Sequence, residues 1–215
     1  MKGWLQSLPI IGSLFRSSEP TSEFVAAFWA HMQEHFGTCI VNKLDNTEMN
    51  LICQALDALG ILDRVRFLDR FTTTIGRRIY VPFKPGVPRG DWDLWSQIVV
   101  CVHEHQHVVQ HNREGITFEA TYLADRAARA KYEIEAMRSN LELEYWRTGK
   151  LPSAKALAVK LYDYGCRPGD VAVAEKALSL ASISVKQGAV LNEASKVALD
   201  WLNKNAPALA AKKAS

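Results

Sequence analysis

Residues 102–111 read V-H-E-H-Q-H-V-V-Q-H, and no other stretch restricts the fold of this chain as strongly. The residues before it, Trp92, Leu94, Trp95, Ile98, Val99, Val100 and Cys101, are apolar enough for a buried strand. Periodicity alone does not separate that from a buried helix. The length of the run and the histidine spacing favour a helix over 92–112, capped by Asp91. On it His103 and His107 lie four apart, one turn along one face, so both imidazoles can converge on a single cation. Glu104 stands beside that face, where it can reach a water at the metal without ligating the metal. H-E-x-x-H is the spacing that zinc-assisted hydrolysis requires, with Glu104 as the candidate general base.

A catalytic zinc needs a third protein ligand and one open position. His111 is the next histidine on the same face. It lies ~12 Å from His103 along the axis, too far for both to bind one ion at ~2 Å. The extended pattern H-E-x-x-H-x-x-G-x-x-H is absent, since Gln110 and Arg113 stand where Gly and His are needed. The third ligand is therefore expected from the following helix, where Y-E-I-E-A-M offers Glu133 and Glu135.

H-E-x-x-H followed by E-x-x-A on a later helix resembles the gluzincin metallopeptidases. The stretch H-E-H-Q-H-V-V-Q is also similar to small zincin-like domains of bacteria and their phages. The resemblance covers residues 77–146. It implies one zinc ion held by His103, His107 and Glu133, because Ala136 follows Glu133 at the matching place. The family's acidic residue falls at Met137, so that role is unfilled and Glu135 stays open as the alternative ligand. The activity implied is a zinc metallopeptidase acting on a peptide or protein substrate. The alternative is a zincin scaffold that binds zinc and a partner without catalysis.

The remaining candidates are weaker. Glu104 and His107 also spell E-x-x-H, but a di-iron site needs a second such pair. Neither His31 nor His35 has Glu three residues before it. These two, four apart on a predicted helix, read as surface residues, and His105 as structural or at a rim. Cys101 and the pair Trp92 and Trp95 read as packing. Tyr122, Arg129 and His111 are unranked candidates for stabilising an oxyanion. Cys39, Cys53, Cys101 and Cys166 form no close pair and so offer no thiolate zinc site; they read as reduced thiols of a cytoplasmic protein.

The fold expected is α+β: a mostly helical zincin-like core over 21–150 with a small sheet, and a helical region over 151–205. An amphipathic segment precedes it (1–20) and a disordered tail follows (206–215). Helices are predicted over 22–36, 47–58, 62–71 and 123–146, with two or three more after 153 broken at 165–169 and near 188. The best strand candidate is R-R-I-Y-V-P-F at 77–83, whose Pro82 assigns it to an edge or an end. Its edge is a candidate for pairing with an extended peptide. A formal net charge of +3 with scattered basic residues argues against nucleic acid as a partner. The apolar stretch in 1–15, broken by Pro9 and Gly12, is too short to span a bilayer and reads as a docking or weakly membrane-touching segment.

Overall fold

The computed structural model describes residues 18–43 and 71–211. The N-terminal segment 1–15, the helix predicted over 47–58, all but the last residue of that over 62–71, and Cys53 lie outside the described residues. The fold is α+β and mostly helical, with one three-stranded sheet.

Helix α1, Ser22–Phe36, starts where the Thr21 side chain accepts the Phe24 N–H at 3.2 Å and ends at Gly37, which takes the left-handed conformation at φ 62°. It buries Phe24, Val25, Phe28, Trp29, Met32 and Phe36, each worth about 1.5–3 kcal/mol when taken out of water. Strand β1 (Cys39–Asn42) runs parallel to β3 (Arg78–Val81), and β2 (Thr73–Ile75) runs antiparallel to β3 on its other side. The order is β1-β3-β2. The strand expected to be an edge or to end at Pro82 is the central one, and of the two places it holds the end. Pro82 permits this because it follows the last paired residue, so its missing N–H costs the ladder nothing. The strands β1 and β2 were not predicted.

Helix α2, Leu94–Glu114, carries the histidine run. Its cap is Asp93, which accepts the Ser96 N–H at 2.7 Å, and not Asp91. From its first turn the buried Gln97 holds the loop in front of the helix. Its Oε1 accepts the Gly86 N–H at 2.9 Å, and its Nε2 donates to the carbonyls of Val87 and Trp92 at 2.9 and 3.1 Å. Gly86, at φ 85°, approaches the Ser22 carbonyl too closely for any Cβ.

The helix predicted over 123–146 is present over 126–148, and a shorter helix that was not predicted precedes it. Helix α3 (Thr117–Ala124) ends at Asp125, whose extended backbone turns the chain and whose side chain caps α4 (Arg126–Thr148). Helix α6 (Pro168–Lys186) packs on α4, and the short α5 (Ala154–Val159) packs on α6, around an apolar cluster that includes Ile134, Leu141, Leu161 and Leu178. Helix α7, Glu193–Asn205, joins the main core beside α1 and α2 through Ala194, Ala198, Leu199 and Leu202. The tail differs from expectation up to Ala211: Pro207–Leu209 forms a 3-10 turn, Leu209 is buried, and the Ala211 N–H donates to the Trp146 carbonyl at 2.9 Å. Among the described residues no helix is long and apolar enough to cross a membrane.

Candidate metal centre

Three elements meet behind the sheet, and each contributes one part of the centre. His103 and His107 project from α2 with ring centroids 5.0 Å apart. Glu133, 1% exposed, faces them from the second turn of α4. Tyr122, from α3, donates its hydroxyl to Glu133 Oε1 at 2.5 Å. Ligand atoms of His103, His107 and Glu133 all lie within 4.8 Å of one another, the one such trio among the described residues.

The details of those contacts say what could be held at their centre. His103 Nε2 lies 3.4 Å from Glu133 Oε2, and His107 Nε2 lies 3.4 Å from Oε1. Charge-assisted N–H···O bonds close to about 2.7–2.9 Å, so neither contact is a well-made one. Glu133 Oε2 is buried without a hydrogen-bond partner. The outer ring nitrogens are turned away. Gln110 donates its Nε2 to the Tyr132 carbonyl at 3.0 Å, which leaves its Oε1 facing His107 Nδ1 at 2.8 Å. Nδ1 therefore carries a hydrogen, and in the neutral imidazole the lone pair sits on Nε2, aimed at Glu133. His103 Nδ1 faces Asn140 Oδ1 in the same way, at 3.4 Å. Three acceptors converge on one small volume with their outer atoms held from behind, a donor set that fits a tetrahedral zinc with one open position.

Electrostatics agree. Burial alone would lower the His107 pKa and raise that of Glu133. The pairing reverses both, lifting His107 to about 9 and holding Glu133 well below the usual carboxylate range. A proton on His107 thus balances the Glu133 carboxylate, and a metal ion bound there would have to displace it. Burial and the nearby Glu133 carboxylate raise the Tyr122 phenol, which stays protonated as the donor.

Glu135 belongs elsewhere. Two residues beyond Glu133 on the helix, it accepts Gln106 Nε2 at 2.9 Å and both Arg113 guanidinium nitrogens at 3.1 and 3.2 Å. The three oxyanion candidates are also committed to other partners. Tyr122 holds Glu133; Arg129 donates to the carbonyls of Tyr122, Leu123 and Tyr164; His111 pairs with Glu119 at 2.7 Å. His105 is structural: fully buried beside Trp29 and Phe36, its pKa lowered to about 4 by burial, with Nδ1 on the Cys101 carbonyl at 2.6 Å. Of the cysteines described, Cys101 and Cys166 are buried, Cys39 is exposed and all three are free.

Glu104 is 4% exposed, and with His103 it lines a cleft of about 890 Å³. Thr72, Trp92, Val100, Met137, Asn140 and Tyr164 also line it. The Gln97-held loop forms one wall, and the segment 157–164 forms another. Asn140, Tyr164, and Thr72 and Thr74, whose hydroxyls donate to the Glu104 carboxylate, were not among the residues singled out from the sequence. The run T-T-T-I-G before the predicted strand was the available signal for the threonines: β-branched residues closed by glycine announce the first arm of a hairpin. No protein-family model, curated protein or solved structure matches this chain.

Proposed function

We propose that this protein is a zinc-dependent hydrolase, and within that class a metallopeptidase. His103, His107 and Glu133 hold the zinc, and Glu104 is the general base. One observation carries the reading: three buried groups present acceptor atoms within 4.8 Å of one another, and the neighbouring Glu104 lines an open cleft. Zinc supplies Lewis acidity, bringing a water's pKa towards ~7 and polarising a carbonyl.

The chain's own residues perform the rest. Glu104 takes the proton of the attacking water as the new C–O bond forms. It then passes that proton to the amide nitrogen as the C–N bond breaks. Tyr164 stands in the cleft wall with its phenol pKa well raised by burial and by the Glu133 and Glu104 carboxylates, so its O–H remains available to a developing oxyanion. Because β3 is paired on both sides, the strand suited to align an extended peptide is β2, whose outer side has no strand partner among the described residues.

The test is Glu104→Gln. The variant is expected to retain zinc and lose hydrolysis of fluorescein-labelled casein; undiminished cleavage would sink the reading. A second reading, a zinc-binding interaction protein without turnover, draws on Met137, buried where the gluzincin pattern has an acid. One zinc per chain, with no cleavage across a broad peptide library, would favour it.

A further inference from the structure

Glu104 is gripped from the edge of the sheet. Thr72 Oγ1 donates to Glu104 Oε1, and Thr74 Oγ1 donates to Oε2 at 2.6 Å. The intervening Thr73 faces the other way, as strand alternation requires. There the buried Lys43 Nζ donates to Thr73 Oγ1 at 3.0 Å and to the Phe71 carbonyl at 3.2 Å. The same short segment is thus anchored on one face by an ammonium group and holds a carboxylate with the other.

We infer that Thr72 and Thr74 are positioning residues that keep Glu104 a base and stop it from becoming a ligand. The inference rests on the reading of Glu104 as general base. A glutamate next to a ligating histidine has three rotatable bonds, and its carboxylate is itself a good zinc ligand at ~2 Å. Entry of Glu104 into the open position would complete a closed, structural site. One hydroxyl on each oxygen fixes the plane of the carboxylate and uses one lone pair on each, leaving the other lone pair of each oxygen for a water. The clamp also ties the base to the strand on which a peptide would lie, so base and substrate share one rigid support.

The experiment uses the full-length protein loaded with cobalt in place of zinc, titrated with acetohydroxamic acid and followed by the visible spectrum. On chelation the hydroxamic acid O–H gives up its proton to a base in reach, here Glu104, leaving a hydroxamate anion and a protonated Glu104. Thr72→Val with Thr74→Val is expected to weaken this binding by about 10–100-fold with cobalt content unchanged, the usual scale for losing an orienting partner. Thr72→Ser with Thr74→Ser is expected to restore it, because serine keeps both hydroxyls. On labelled casein the valine pair is expected to lower kcat and leave KM unchanged. If the valine pair binds acetohydroxamate like wild type while Glu104→Gln binds weakly, the clamp is wrong and the base reading stands. If Glu104→Gln also binds like wild type, Glu104 does not face the metal and both fall. If the wild type takes up no cobalt, the metal centre falls and the clamp with it.

Discussion

Two separate pairs of histidines, His31 with His35 and His103 with His107, share one spacing, and only the second lies in the candidate metal centre. His31 and His35 lie four apart on α1, as His103 and His107 do on α2. The first pair sits at the surface with rings 6.4 Å apart, His31 stacked on Trp201. Partial burial and then His35 lower the His31 pKa, with Glu34 opposing the shift and Lys204 adding to it. The second pair is buried, has a carboxylate opposite, and has a side-chain oxygen behind each ring. Spacing brings two imidazoles to one face. Glu133 and Asn140 come from another helix and Gln110 from the next turn of the same one, and these surroundings distinguish the candidate metal centre from a helix surface.

The strongest break of this contrast is His107→Ala or Glu133→Ala. Each is expected to reduce metal content from about one zinc per chain to none after dialysis, measured by atomic absorption, while His31→Ala with His35→Ala retains it. Loss in the His31/His35 variant, or retention in the other two, would reverse the assignment. Next in size are the backing groups. Gln110→Ala is expected to weaken zinc about 10–100-fold in competition with a chromophoric chelator. Asn140→Ala should cost less, since its contact to His103 is long at 3.4 Å.

The pH dependence sharpens the contrast through sign. In the metal-free protein His107 titrates near 9, above its ordinary 6.5, so its pairing stabilises fully below pH 6.5 and is lost as pH rises towards 9. His105, lowered to about 4, acts in the opposite sense: stability falls as pH drops from 6.5 towards 4, where the unfolded chain binds the proton first. Urea midpoints of the metal-free protein are therefore expected to decline on both sides of pH 6.5. Apparent zinc affinity is expected to rise up to about pH 9, because zinc must displace the His107 proton. The smallest effect belongs to His35→Ala, an exposed change expected to shift stability by less than about 0.5 kcal/mol.

What could be read in advance follows the range of each interaction. The pair His103 and His107, Glu104 beside them and α1 with its closing Gly37 are local patterns, readable because helix geometry carries them. Glu133 needed the resemblance, since two carboxylates two residues apart are equivalent until the partner helix fixes which one points inward. Asn140 and Tyr164 are nonlocal, and nothing in their neighbourhood in sequence marks them. The strand at 78–81 was readable, but its place in the sheet was not. That place depends on β1, formed by C-I-V-N, which is too short to announce itself.

Gln106, the residue before His107, accepts the Ala194 N–H at 3.2 Å and donates to Glu135. The first turn of α7 is thus hinged on the helix that carries the histidines. Asn192 strengthens the joint with Nδ2 bonds to the Glu135 carbonyl and to Ser139. Opening the C-terminal helix would therefore pull on both helices that line the candidate metal centre. In the language of local unfolding, the last helix and the candidate centre are expected to open as one cooperative unit, although some ninety positions separate them in sequence.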